Sequence, residues 1–258
     1  MNKPKVLVMS GYGLNCEEET KFAFDKAGGK TDIVHINDLI DGVKKLSDYQ
    51  IVSFPGGFSY GDDTGSGNGY ANKVRNHLWE KITHFIAQDK LVIGICNGFQ
   101  ILARLGLLPV TFALTNNDSA RYTVRWVDMR VENKSPWLLG INTISLPIAH
   151  GEGRLFVDNK TVSTLRKKNL IALRYIKGEI YDYQHLPANP NGSLENIAGI
   201  TDESGKIFGL MPHPERALFF NHLPQWSYLK EKLLREGKGI SDKGPGLSIF
   251  INSIRYFV

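Results

Sequence analysis

The chain has 258 residues, 42% of them hydrophobic and 22% charged, a composition typical of a globular protein with room for one large α/β domain. Its net charge of +5 comes from interspersed basic and acidic residues without a basic stripe between stacked aromatics, so we expect no nucleic-acid partner. Two cysteines cannot form a disulfide framework, and no apolar segment approaches a signal-peptide core or a membrane span, so we expect a cytoplasmic protein without membrane contact.

The first hundred residues alternate between strand and helix signals. Apolar runs and helix periodicity predict, in chain order, a strand at 5–10, a helix at 16–27 capped by Asn15, strands at 31–36 and 50–54, a helix at 68–88, a strand at 91–95 and a helix from 99 to 105. This order predicts an α/β fold with a mainly parallel central sheet and helices on both faces.

The pattern changes after Pro109. Strands are predicted at 122–131, 142–149 and 171–175, a hairpin at 195–202 and 206–211, a loop at 177–192, and closing helices at 226–235 and 248–257. These strands would add an antiparallel segment to the parallel sheet.

Cys96 ends the apolar run 91–95 and precedes the helix predicted from 99, with Gly94 and Gly98 two residues to either side. This is the layout of a nucleophile elbow, a tight strand-to-helix turn that exposes a nucleophile, here a thiol in place of a hydroxyl. The N-terminus of the following helix favours a thiolate, the reactive form of cysteine. The alternative is an inert buried cysteine that packs as a small hydrophobic residue.

A thiol nucleophile needs a base, and the base needs an acid to orient it. His213 and Glu215 offer both, because a rigid proline separates them and residues two apart in an extended segment point to the same side. A second pair, His150 and Glu152, is a competitor, although the glycine between them makes it flexible. The two pairs together could also ligate a metal ion, but thiol chemistry explains more of the sequence, so we predict no metal site.

Gly56 and Gly57 follow the strand predicted at 50–54 and could supply backbone N–H groups to an oxyanion. The alternative is an ordinary strand-ending turn. The glycine-rich segment 59–69 could be a mobile lid, a partner contact or a surface loop. No phosphate-binding loop with its lysine occurs, and no Gly-x-Gly-x-x-Gly follows the first strand, so we expect no ATP site in this chain.

Read in order, the Gly-Gly turn, the cysteine elbow and the His-Pro-Glu motif resemble the class I glutamine amidotransferases. Longer runs resemble the glutaminase subunits of phosphoribosylformylglycinamidine synthases, which act at the fourth step of purine biosynthesis. These runs are FPGGFSYGD from Phe54, GICNGFQIL from Gly94, PIAHGEGR from Pro147 and GLMPHPERA from Gly209. The similarity covers about residues 4–217.

The resemblance implies a class I amidotransferase fold and a triad in which Cys96 is the nucleophile, His213 the base and Glu215 the orienting acid. It implies an oxyanion hole made by the backbone N–H groups of Gly57 and Asn97. It also implies residues that bind the substrate glutamine, namely Gly56, Phe58, Gln100, Asn117, Ser119 and Arg121.

The reaction implied by the resemblance is hydrolysis of glutamine, through a glutamyl thioester, to glutamate and ammonia. The ammonia would pass to a separate synthetase subunit that activates formylglycinamide ribonucleotide with ATP, and a small third subunit would bridge the two. No cofactor is expected in this chain, whereas ATP and Mg are expected on the synthetase subunit. The chain would be a single amidotransferase domain over 1–258, with a C-terminal extension at about 218–258.

Two other functions remain open from the residues. A different cysteine hydrolase, such as an intracellular peptidase, could use the same sheet, although such enzymes usually place a histidine directly after the cysteine, where this chain has Asn97. A non-catalytic binding or regulatory module would be expected to lack a member of the triad, and all three members are present.

Overall fold

The computed structural model describes residues 3–62 and 65–258. Asp63 and Thr64, which belong to the segment 59–69 predicted as a possible lid, lie outside the described residues. Its strands and α-helices are, in chain order, β1 (Lys5–Ser10), α1 (Glu17–Lys26), β2 (Lys30–His35), α2 (Ile36–Ile40), β3 (Ile51–Phe54), α3 (Asn68–Ile86), β4 (Leu91–Ile95), α4 (Asn97–Leu105), β5 (Ala113–Asn116), β6 (Thr123–Val131), β7 (Thr143–His150), β8 (Glu152–Phe156), α5 (Asn159–Lys167), β9 (Ile171–Ile176), α6 (Glu179–Gln184), β10 (Ile197–Thr201), β11 (Ile207–Leu210), α7 (Trp226–Arg235) and α8 (Leu247–Arg255).

Nine strands form one sheet in the order β2-β1-β3-β4-β11-β10-β9-β6-β7. The strands from β2 to β11 are parallel to their neighbours, whereas each pair from β11 onward is antiparallel. β5 and β8 form a separate antiparallel pair. The predicted fold class, a mainly parallel central sheet with helices and an added antiparallel segment, is confirmed, and the antiparallel part continues the same sheet.

The core strands read as unbroken apolar runs because both of their faces are covered. Every residue of β3, β4 and β11 is buried. The chain moves from β1 to β2 in one direction along the sheet and from β3 to β4 in the other, so right-handed crossovers place α1 and α3 on opposite faces. α8 packs against α1, and α4 packs against α3. The carboxyl ends of β3, β4 and β11 therefore lie side by side at one edge.

Several local predictions were wrong. Asn15 does not cap α1: the N-cap is Cys16, without a side-chain capping bond. The chain before it bends through positive φ at Gly11, Tyr12 and Gly13 and pairs Leu14 with Gly57, which leaves Asn15 outside the capping geometry.

Other elements were not predicted at all. The loop predicted at 177–192 contains α6, and α2, β5, β8 and α5 are additional. The single domain and its C-terminal extension stay predictions. Within the part of the chain that the structure describes, no helix is long and apolar enough to cross a membrane.

Candidate active site

Cys96 occupies the sharp turn between β4 and α4. Its backbone has φ 51° and ψ −107°, a conformation that residues with a side chain rarely adopt and that persists where the surrounding structure enforces it. Gly98 makes the turn possible, because a Cβ there would lie 1.9 Å from the carbonyl oxygen of Phe54. A Cβ at Gly94 would lie 2.6 Å from the carbonyl oxygen of Gly98. The backbone thus forms the strand–turn–helix geometry of the predicted elbow.

The sheet brings His213 to this turn. β11 is parallel to β4, with Leu210 opposite Ile95, so the chain leaves both strands at the same edge. His213 Nδ1 lies 2.5 Å from Oε1 of Glu215, and both residues are buried. The two side chains meet within a short 3₁₀ turn at Pro214–Arg216, not in the extended segment that the sequence predicted.

His213 is held in a state suited to pairing with a thiolate. Burial disfavours the charged ring, but the Glu215 carboxylate and the Cys96 thiol raise the pKa of His213 well above its ordinary value of 6.5. Nδ1 is engaged by Glu215, and Nε2 is buried without a hydrogen-bond partner in the described part of the chain. The Cys96 thiol lies 3.7 Å from the carbonyl oxygen of Ala149, and its pairing with Nε2 of His213 stays a prediction.

Two backbone N–H groups are placed as candidate oxyanion donors. Asn97 is the first residue of α4, where an N–H has no acceptor within its own helix. Gly57 pairs with Leu14 in an antiparallel bridge whose hydrogen bonds use the Gly56 carbonyl and the Phe58 N–H, so this bridge does not consume the N–H of Gly57. The role of both N–H groups as oxyanion donors stays a prediction.

A cavity of about 260 Å³ opens at Cys96. Five of the predicted site residues line it, namely Cys96, Gly57, Phe58, Gln100 and Arg121, whereas Asn97, His213 and Glu215 do not. Three residues predicted to bind glutamine do not line it: Gly56, Asn117 and Ser119. A direct contact of these three with glutamine stays a prediction.

These three residues contact other predicted site residues instead of the cavity itself. A Cβ at Gly56 would lie 2.8 Å from Cε1 of His213, so glycine allows the ring to pack against the backbone. Asn117 is buried, and its Nδ2 donates to the carbonyl oxygen of Arg121 at 2.9 Å. The hydroxyl of Ser119 accepts from the N–H of Arg121 at 3.3 Å. These bonds shape the turn that carries Arg121 to the cavity.

Two carboxylates in the cavity wall were not predicted as site residues. Asp62 and Glu152 both line the cavity. Burial raises the pKa of Asp62, and the nearby Glu152 charge adds to this effect, while hydrogen bonds from Ser66, Gly67 and Asn97 oppose it. Both acids lie in the runs FPGGFSYGD and PIAHGEGR, which carried the family resemblance, so a signal for them was present in the sequence.

His150 does not pair with Glu152, so these two residues do not form a competing base–acid pair. Its Nδ1 lies 3.0 Å from Oδ1 of Asn117, whose Nδ2 is used as a donor, so Nδ1 carries the proton and Nε2 is an acceptor. Burial and the charge of His213 lower the pKa of His150 to about 3. In the described part of the chain Nε2 has no partner, and His150 lines the cavity.

The low pKa of His150 predicts a loss of stability in mild acid. The unfolded chain binds a proton at the ordinary pKa of 6.5, while folded His150 stays neutral, so lowering the pH from 7 to 5 should cost about 2 kcal/mol of unfolding free energy. His213 acts in the opposite sense, because its raised pKa gives a contribution that is fully present below 6.5 and is lost as the pH rises through the folded value.

The measurement is urea unfolding of the wild type and of His150→Asn at both pH values. We expect the variant to lose about 2 kcal/mol less than the wild type on acidification. His77→Asn, at an exposed histidine, is the matched control and should follow the wild type. Equal losses in the wild type and in His150→Asn would contradict the assignment of a neutral buried ring.

Among the described residues, Cys16, His213 and Glu215 form a group whose possible ligand atoms all lie within 4.8 Å of one another. The group is poorly suited to a cation. Nδ1 of His213 and Oε1 of Glu215 are at hydrogen-bond distance, and Nη2 of Arg216 lies 3.0 Å from the Cys16 sulfur, where its charge would repel a metal ion. These contacts favour a hydrogen-bonded cluster.

Comparison with known proteins identifies the family of this site. The model of the CobB/CobQ-like glutamine amidotransferase domain matches residues 3–257. A protein of Methanococcus maripaludis described as phosphoribosylformylglycinamidine synthase subunit PurQ is 52% identical over 98% of this chain and 97% of its own length. One of the same description from Dehalococcoides mccartyi is 41% identical over 99% of this chain and 98% of its own.

Solved structures share the architecture. A chain in the structure of PurLQS from Thermotoga maritima superposes with a TM-score of 0.74 at 32% identity, with full coverage of both chains. A glutamine amidotransferase from Thermotoga maritima superposes with a TM-score of 0.54 at 15% identity, covering 99% of this chain and 97% of its own, which shows a common fold.

Proposed function

We infer the activity of this chain from its family: it belongs to the CobB/CobQ-like glutamine amidotransferases and, among them, to the PurQ subunits of phosphoribosylformylglycinamidine synthase. It is the glutaminase subunit of that enzyme in purine biosynthesis. It releases ammonia from glutamine for the ATP-dependent conversion of formylglycinamide ribonucleotide. The observation that carries the residue assignment is the strained Cys96 at the end of β4, beside the buried pair of His213 and Glu215.

In the proposed mechanism the Cys96 thiolate attacks the side-chain amide carbon of glutamine. The carbonyl oxygen becomes an oxyanion that accepts hydrogen bonds from the N–H groups of Gly57 and Asn97. The His213 imidazolium protonates the leaving nitrogen, which departs as ammonia and leaves a glutamyl thioester on Cys96. His213 then takes a proton from water, which hydrolyses the thioester to glutamate and restores the thiol. Glu215 holds the ring through Nδ1 at every step.

The cavity offers complementary charges for the amino-acid end of glutamine. Arg121 supplies a cation for the α-carboxylate, while Asp62 and Glu152 supply anions for the α-ammonium group. His150 Nε2, a buried acceptor without a partner in the described residues, provides a further site for an ammonium or amide N–H. A free amino acid carries both charges and a peptide interior carries neither, so this distribution favours glutamine over an internal peptide bond.

The partners follow from the same family. The chain works with a PurL-like synthetase subunit and a small PurS-like subunit, as named together in the Thermotoga maritima structure. We propose that ATP and Mg bind on the synthetase subunit and that this chain needs no cofactor, which agrees with the lack of a phosphate-binding loop in its sequence. We also propose a cytoplasmic location, with both cysteines kept as free thiols.

The residue assignment is tested with an electrophilic glutamine analogue followed by peptide mapping. We expect a single adduct on Cys96, with no adduct on Cys16, because only Cys96 lines the cavity. Excess glutamine should prevent labelling, whereas an excess of a glutamine-containing peptide blocked at both ends should not. An adduct on Cys16, or labelling that glutamine leaves unchanged, would contradict the proposed nucleophile.

A further inference from the structure

Cys16, the second thiol, lies next to the proposed catalytic pair of His213 and Glu215. It is 1% exposed, and its sulfur forms a cluster within 4.8 Å with the polar atoms of His213 and Glu215. A Cβ at Gly56 would lie 3.0 Å from the Cys16 sulfur and 2.8 Å from Cε1 of His213. The sulfur, the ring and the backbone of Gly56 are therefore packed together.

Arg216 joins Cys16 to the orienting acid. Its Nη2 donates to the Cys16 sulfur at 3.0 Å, and its Nε lies 3.8 Å from Oε1 of Glu215. In the described part of the chain, Arg216 and His213 are the cationic side chains within 4.0 Å of the Glu215 carboxylate. The Arg216 side chain is 39% exposed, and its Nε also lies 3.9 Å from Oε1 of the partly exposed Glu19, so without the sulfur Glu19 competes with Glu215 for this guanidinium.

The backbone of Cys16 also contacts the Gly56–Gly57 turn. The N–H groups of Asn15 and Cys16 donate to the same carbonyl oxygen, that of Gly56, at 3.2 and 3.1 Å. This carbonyl belongs to the peptide group that contains the N–H of Gly57. The residue that contacts the base through its side chain therefore also anchors one proposed oxyanion donor through its main chain.

We propose that Cys16 is a positioning residue of the glutaminase site, which holds Arg216 against Glu215 and packs against the His213 ring. This role rests on the proposed function, because it has meaning only if His213 and Glu215 serve Cys96. A thiol suits the place: its sulfur is a weak, large acceptor that packs against a ring and still accepts from a guanidinium. Small displacements of a catalytic group cost rate, so the role is measurable.

The test uses the complex reconstituted with its synthetase and small subunits, and compares the wild type with Cys16→Ala and Cys16→Ser. We expect Cys16→Ala to lower kcat for glutamine-dependent synthesis about ten- to hundredfold, with little change in the KM for glutamine. Cys16→Ser should recover part of the rate, because a hydroxyl also accepts from Arg216. Synthesis from added ammonium salts should stay at the wild-type rate in both variants, which shows that the complex assembles.

Two comparisons separate positioning from a general loss of packing. Thr31→Ala removes the hydroxyl and one methyl group of a buried side chain in β2 and should leave both rates unchanged. Arg216→Ala should lower kcat as Cys16→Ala does, and the double variant should be little worse than either, because both changes break one connection.

The outcomes that overturn the proposal are distinct from failure of the proposed function. A Cys16→Ala complex with wild-type kcat for glutamine, strictly additive effects of Cys16→Ala and Arg216→Ala, or a parallel loss of ammonia-dependent synthesis would each contradict the role of Cys16. A wild-type complex that uses ammonia but not glutamine would instead contradict the proposed function.

Discussion

Replacing Cys96 by alanine should abolish glutamine-dependent synthesis in the reconstituted complex and leave ammonia-dependent synthesis intact. In the proposed mechanism the Cys96 sulfur bonds to the substrate, and removing the nucleophile of a triad typically costs about 10⁶-fold in turnover. Ammonia added to the solution bypasses the thioester, because its condensation takes place on the synthetase subunit. The measurement is product formation with glutamine or with an ammonium salt as the nitrogen source.

The fold should survive this change. Alanine keeps the Cβ of Cys96 and adds no bulk to the turn, so the φ of 51° is no more strained than before. Loss of both activities together would mean that Cys96 serves assembly or folding, and retention of glutamine-dependent synthesis would mean that another residue is the nucleophile.

Gly98→Ala is expected to be the most damaging single-methyl substitution at the site. The added Cβ would lie 1.9 Å from the carbonyl oxygen of Phe54 and 2.6 Å from its carbonyl carbon, and neither backbone atom can turn aside as a flexible side chain does. Relief requires α4 and β3 to separate, which should cost about 3 kcal/mol of unfolding free energy or more. Because Phe54 leads into the Gly56–Gly57 turn, glutamine-dependent synthesis should be lost as well.

Gly239→Ala provides the matched control for this effect. A Cβ at Gly239 would meet nothing within 4 Å, so we expect its unfolding free energy to stay within about 0.5 kcal/mol of the wild type. Denaturant unfolding of the three proteins gives the comparison. A Gly98→Ala protein as stable and active as the Gly239→Ala protein would show that the elbow is not packed as described.

The parts of the fold that could be predicted carry their cause in the local sequence. β4 was predicted with its observed bounds because it is an apolar run closed by the elbow, and α7 was predicted in the same way from its periodicity. β5 and β8 were missed because each is short and its strand partner is the other, some forty residues away along the chain. α6 was not predicted because it lies in a segment rich in proline and asparagine.

The same distinction between local motifs and long-range contacts applies to the site. The turn at Cys96 and the contact between His213 and Glu215 were predicted because each motif is contiguous and its chemistry is specific, while their catalytic roles stay predictions. Cys16 was assigned no role, since its neighbours at Gly56 and Arg216 are brought to it by the strand order and not by any local pattern. The cap at Asn15 was predicted from residue preference alone, and the long-range bond from its N–H to Gly56 overrode that preference.

The central claim is that nitrogen released at Cys96 is the nitrogen that the synthetase subunit incorporates. The direct measurement supplies the complex with glutamine labelled isotopically at its amide nitrogen together with unlabelled ammonium ion, and determines the isotope content of the product by mass spectrometry. We predict labelled product from the wild type and only unlabelled product, at an undiminished ammonia-dependent rate, from the Cys96→Ala complex. Labelled product from Cys96→Ala, or unlabelled product from a wild type supplied with saturating labelled glutamine, would contradict the account.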